Sequence, residues 1–147
     1  MKRGTLQLPD IRLAYADFGG DGPGLLMLHG LMGRATTWAG TAEWLTSRFH
    51  VVALDQRGHG WSEKPRDAYS RDAYVADAAA AIEALGLGPA VVVGHSLGAT
   101  NAWVLAARRP DLVRGLVLED KDAVVYTAAK MQGWRDWFAS WPLPFQS

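Results

Sequence analysis

The stretch Val91-Val92-Val93-Gly94-His95-Ser96-Leu97-Gly98-Ala99 constrains this chain more than any other. The three valines read as a buried strand, Gly94 to Gly98 as a tight turn around one serine, and Leu97 onward as the start of a helix. To present a serine hydroxyl at the end of a sheet, the backbone must turn sharply. Side chains two residues to either side would then strike the neighbouring strand and helix. Gly94 and Gly98 remove those side chains and accept strained dihedrals. Ser96 falls where the helix begins, so the amide of Leu97 and the positive helix end can face an anion forming on a bound acyl group. That is half of an oxyanion hole. The competing account is a glycine-rich turn with an incidental serine, and the rest of the chain has to separate the two.

Upstream, Leu6 and Leu8 alternate with polar neighbours, Pro9-Asp10 marks a turn, and Ile11, Leu13 and Tyr15 alternate again, which predicts an antiparallel hairpin. The glycine-rich loop from Asp17 to Gly24 leads into Leu25-Leu26-Met27-Leu28, a short apolar run suited to a strand covered on both faces. His29-Gly30-Leu31-Met32-Gly33 follows directly. Thr36 or Thr37 is expected to cap a helix with Trp38, Ala42 and Leu45 on its apolar side, ending near Phe49. His50 to Asp55 is another buried strand. It runs into Asp55-Gln56-Arg57-Gly58-His59-Gly60-Trp61-Ser62, where Asp55 and Arg57 are expected to hold each other and nearby backbone, and His59 to line a pocket mouth.

Ser70 is the expected N-cap of a helix carrying Val75, Ala78, Ala79, Ile82 and Leu85, with Gly86 as its stop. After the serine turn, a helix runs to about Arg108 and is closed by Pro110, and Leu112 to Leu118 supplies one more strand. Strands alternating with helices of about a dozen residues indicate a parallel sheet behind the initial hairpin. No internal repeat or low-complexity tract interrupts this order.

A chain of 147 residues with 49% hydrophobic content fits one domain with a real core. Its 15 basic and 15 acidic residues cancel, so no global field recruits nucleic acid or an anionic membrane. The absence of cysteine excludes disulfides, a thiol nucleophile and thiolate metal sites. Gly4 to Pro9 lacks the apolar character of a signal-peptide core, and no apolar run approaches the roughly 18 residues of a membrane span. The expected location is the cytoplasm, and the expected partner is a small-molecule substrate.

Three motifs, each just after a predicted strand, now stand in order: His29-Gly30, the D-x-R-G-x-G-x-S loop from Asp55, and G-x-S-x-G at Gly94 to Gly98. In these the chain resembles the α/β-hydrolase superfamily. The resemblance implies an α/β-hydrolase fold, a mostly parallel sheet with an initial antiparallel hairpin. It implies that Ser96 is a nucleophile on an elbow, that the amides of Leu31 and Leu97 form the oxyanion hole, and that His29, Gly30, Gly94, His95 and Gly98 support elbow and loop. No metal or organic cofactor is required. A serine at this position points to esterases, lipases, lactonases, amidases and carbon–carbon bond hydrolases rather than to epoxide hydrolases or haloalkane dehalogenases, which use an aspartate there.

In the resembled family the general base is a histidine following the last strand, in the order serine, acid, histidine. The four histidines here, His29, His50, His59 and His95, all precede Ser96. The base is therefore expected from outside this chain, and His95 is expected to point away from the serine as a packed or supporting residue. Asp120, at the end of the last strand, is a candidate acid, with Glu119 on the opposite side of the strand. Trp134, Trp137, Phe138 and Trp141 recur at helical spacing, an aromatic stripe expected to open a cap over the site mouth. These features lead to an expected division into an N-terminal part of a hydrolase core, residues 1–122, and the start of a cap, residues 123–147. The fold is expected to be truncated after its sixth strand, with that strand's exposed edge open to self-association or to a complementary C-terminal fragment. The alternative function is a non-catalytic ligand-binding relative of the family.

Overall fold

The computed structural model describes residues 1–120 and 128–140. Trp141, the boundary between residues 122 and 123, and the side chains of Trp134 and Phe138 lie outside the described residues. Six strands form one sheet: β1 (Lys2–Gln7), β2 (Arg12–Gly19), β3 (Gly24–Leu28), β4 (His50–Asp55), β5 (Ala90–His95) and β6 (Val113–Glu119). Their spatial order is β1-β2-β4-β3-β5-β6. β1 pairs antiparallel with β2, and β2 with β4, whereas β3, β4, β5 and β6 pair in parallel. The helices α1 (Ala39–Leu45), α2 (Arg71–Ala84) and α3 (Leu97–Arg108) connect the parallel strands, and α4 (Ala128–Ala139) follows β6. The expected hairpin and parallel sheet are both present.

The apolar runs of β3 and β4 are continuous because each face of the sheet has its own core. Leu26, Leu28, Val52, Leu54 and Val92 pack on one face against Val75, Ala78 and Ile82 of α2 and Ala102 and Leu105 of α3. Their alternates Leu25, Met27, Val51 and Ala53 pack on the other against Ala35, Trp38 and Ala42. The two-residue period of a strand sends successive side chains to opposite cores. Each fully buried leucine or valine contributes about 1.5–3 kcal/mol.

Ser70 caps α2 as expected, its hydroxyl accepting the Ala73 N–H at 3.2 Å, and Gly86 ends the helix at φ +62°. The first helical segment differs from expectation. It opens as a 3-10 turn at Ala35–Trp38, ahead of Thr36 and Thr37, and α1 ends at Leu45. The cause is tertiary: the Asp55 carboxylate, at the end of β4, accepts the Ala35 N–H at 2.6 Å. A carboxylate reached across the fold does what a local threonine would otherwise do.

Candidate active site

At the end of β5 the backbone turns through Ser96, whose φ of +50° and ψ of −106° lie outside the regions that L-residues normally occupy. The turn is held from both sides, since the Ser96 N–H donates to the Glu119 carbonyl at 3.1 Å and its own carbonyl accepts the Thr100 N–H at 3.1 Å. Ser96 is the N-cap residue of α3, yet its hydroxyl makes no capping hydrogen bond. The glycines explain how so sharp a turn closes. A Cβ on Gly94 would stand 2.4 Å from the Gly98 carbonyl oxygen, and one on Gly98 would stand 2.1 Å from the Leu28 carbonyl oxygen.

Ser96 opens onto a 390 Å³ cavity, lined also by Leu31, Met32, Thr37, His95 and Trp137. Leu31 and Trp137 are both partly exposed there. Thus the loop after β3 brings Gly30 and Leu31, the elbow His95 and Ser96, and α4 Trp137 to a single space.

His29 is a buried anchor of the loops. Its Nδ1 donates to the Gly30 carbonyl at 2.7 Å while its Nε2 accepts the Gln56 backbone N–H at 3.1 Å, a pattern that requires the neutral ring. Burial pushes its pKa down to about 4 against the supporting pull of the Gly30 carbonyl. Gln56 returns a bond from its amide to the His29 carbonyl at 2.7 Å and accepts one from Asn101 of α3 at 2.6 Å. Asn101 in turn accepts from Arg71. This chain ties the loops after β3 and β4 to α3 and α2. Gln56 and Asn101 escaped the sequence reading; the usable signal was the amide side chain of Asn101 in the first turns of α3, beside Ala99 and Ala102.

Three expectations need correction. Arg57 does not hold Asp55. Its guanidinium grips Asp77 of α2, while the Asp55 oxygens accept backbone N–H groups of Ala35 and Trp61 at 2.6 and 2.8 Å. His59 is absent from the cavity lining and instead sets its Nε2 2.5 Å from the Leu31 carbonyl, with its ring edge-to-face against His29. His95 is not packed away, for its side chain is 41% exposed, lines the Ser96 cavity, and stands 3.6 Å from Asp120.

Gly30 makes room for His95, since a Cβ there would lie 2.6 Å from His95 Nδ1. Asp120 leaves the strand at φ +48° and stands 3.6 Å from His95. Glu119 lines a second cavity of 230 Å³ together with His29, Trp38 and His95.

A mostly parallel sheet with an antiparallel start and a strained serine turn between β5 and α3 defines a class of proteins, and the comparison agrees: the family model for the alpha/beta hydrolase fold matches residues 23–146, and the chain belongs to that family. Within it, the chain is 42% identical over 110 residues to a 2-(acetamidomethylene)succinate hydrolase of Mesorhizobium japonicum, covering 75% of this chain and 40% of that protein. The crystal structure of an E-2-(acetamidomethylene)succinate hydrolase superposes with a TM-score of 0.76 at 37% identity, covering 86% of this chain and 45% of that one. An epoxide hydrolase of Caenorhabditis elegans is 35% identical over 115 residues, covering 76% of this chain and 28% of the relative. The chain thus spans less than half the length of these relatives. Among the described residues, no helix is long and apolar enough to cross a membrane.

Proposed function

We propose that this chain carries the nucleophile-bearing part of a serine hydrolase that cleaves small apolar or aromatic esters, or related acyl compounds, through an acyl-serine intermediate. The observation that carries the proposal is Ser96 itself, a serine in a strained conformation at a helix N-terminus whose hydroxyl is not spent on capping. In this mechanism Ser96 Oγ attacks the acyl carbonyl carbon while a histidine, supplied by the rest of the protein, takes its proton. The amides of Leu31 and Leu97 hold the oxyanion of the tetrahedral intermediate. Its collapse breaks the bond to the leaving alcohol, which receives the proton from the imidazolium. Water then attacks the acyl-serine by the same route, releasing the acid and restoring Ser96. Asp120, exposed beside the site mouth, is the candidate orienting acid.

Serine at the nucleophile position favours acyl chemistry over epoxide opening. The M. japonicum relative is named for a dicarboxylate substrate. Among the described residues no lysine or arginine lines the Ser96 cavity, which supports an apolar acyl group here. Trp137 supports reading α4 as the start of a cap. In the full-length protein carrying this chain, a fluorophosphonate reagent labels Ser96, and Ser96→Ala lowers turnover of a small aryl ester by about 10³-fold or more. Full activity in Ser96→Ala overturns the proposal.

A second reading concerns partners. Leu116, Val117 and Leu118 of β6 are 37%, 51% and 39% exposed, on both faces of the outermost strand. That edge suits a further strand from a complementary C-terminal segment or a second copy. Under this reading the isolated chain does not turn over ester and at most binds ligand.

A further inference from the structure

A separate cavity of 440 Å³ lies against the β1–β2 hairpin and shares no lining residue with the Ser96 cavity. Its volume falls in the range of about 300–1,000 Å³ common for small-molecule sites. Ala14, Ala16 and Ala35 give it small apolar walls. Gly4 and Tyr15 border it from the strands, the Tyr15 ring itself turning to the opposite core. Trp61, 65% exposed, forms another wall. The Trp61 backbone is fixed, its N–H donating to Asp55 at 2.8 Å and its carbonyl accepting from the Arg12 guanidinium at 3.1 Å.

Three arginines, Arg3, Arg12 and Arg34, line this one cavity. Arg3 is stacked over the Trp61 ring, 5.6 Å from its centroid. Among the described residues none of the three is in an ion pair, whereas Arg57, Arg108 and Arg109 all are. The carboxylate in the lining, Asp55, accepts the Ala35 and Trp61 N–H groups. Nearby Glu63 accepts the Arg12 backbone N–H at 3.0 Å. Gathering like charges around a concave apolar surface is unfavourable unless an anion offsets it, and planar guanidinium groups match a carboxylate by two parallel hydrogen bonds. The exposed Trp61 face beside the small alanine walls asks for a flat ring.

We propose that this cavity is a second ligand site that binds a small aromatic carboxylate, its ring against Trp61 and its carboxylate among Arg3, Arg12 and Arg34. The site stands independently of the role assigned to Ser96.

Calorimetric titration of the full-length protein with 2-naphthoate tests it. Binding should weaken at least tenfold in the Arg3→Gln, Arg34→Gln double variant, and at least tenfold when neutral 2-naphthamide replaces the acid. Trp137→Ala, which alters the Ser96 cavity, should leave 2-naphthoate affinity unchanged. Should the double variant lose its circular dichroism, Arg34→Gln alone is expected to bind at least threefold more weakly. Absence of binding at millimolar 2-naphthoate, equal affinity for the amide, an unchanged affinity in the arginine variants, or loss of binding in Trp137→Ala overturns the proposal.

Discussion

The guanidinium of Arg57 closes a two-point pair on the carboxylate of Asp77, Nε to Oδ2 and Nη2 to Oδ1 each at 2.7 Å, with both side chains buried. The pair pins the loop after β4 to α2, and a third bond from Nη1 to the Ala68 carbonyl at 2.6 Å holds the approach to that helix. Removing one partner strands a buried charge. Asp77→Ala should therefore cost about 3–5 kcal/mol, while the apolar pair Arg57→Met with Asp77→Leu should recover most of the loss. Urea unfolding of the three proteins measures both effects. A cost below about 1 kcal/mol for Asp77→Ala would show that the pair behaves as a surface contact.

Gly98→Ala places a methyl group 2.1 Å from the Leu28 carbonyl oxygen and 2.8 Å from that of His29. Both obstacles are backbone at the end of the central strand β3, so neither can rotate aside. The variant should lose about 3 kcal/mol or more, or fail to accumulate as folded protein, because the elbow helix is pushed off the sheet. Gly40 offers a control, since its Cβ would meet nothing within 4 Å. In that helical position Gly40→Ala should stabilise by about 0.5–1 kcal/mol. Thermal melting of both variants decides the matter.

What could be read from the sequence was what depends on neighbours along the chain. The elbow announced itself because Gly94, Ser96 and Gly98 act on one another within five residues, and Ser70 because a cap reaches only the next turn. The two-sided core was legible as uninterrupted apolar runs in β3 and β4. Partners chosen in three dimensions were not. Asp55 and Arg57 are two residues apart on an extended segment that turns between them, so their side chains diverge, one to the Ala35 amide and the other to Asp77 twenty residues on. Asp120 leaves the strand at φ +48°, a backbone turn that no periodicity in Val113–Glu119 announces.

His29 should make stability depend on acid. Its folded pKa is about 4, lowered from 6.5 mainly by burial, so between these values the unfolded state binds a proton that the folded state refuses. The stabilising contribution is complete above about pH 6.5 and is lost as pH falls through 4, amounting to on the order of 3 kcal/mol at its limit. In His29→Gln the fall in stability between pH 6.5 and 4 should be visibly shallower than in the parent protein, even if the variant is less stable at pH 7. Urea midpoints across this range provide the comparison, and parallel curves would assign the acid sensitivity to other groups.

Ser96 supplies the most discriminating pair of substitutions. A serine that serves as an ordinary N-cap costs about 0.5–2 kcal/mol when replaced by alanine, because a helix amide loses its acceptor. Ser96 makes no such bond, so Ser96→Ala should change stability by less than about 0.5 kcal/mol. Glycine at the same place relieves a φ of +50° and ψ of −106°, a strain of about 1–3 kcal/mol, against an entropic loss of about 0.5–1 kcal/mol. Ser96→Gly should therefore melt higher than the parent protein by the equivalent of about 1 kcal/mol. Both variants should fail to react with a fluorophosphonate. Loss of reactivity together with gained stability in Ser96→Gly is the signature of a residue held in strain for chemistry. A destabilised Ser96→Ala would instead mark Ser96 as a structural cap of α3.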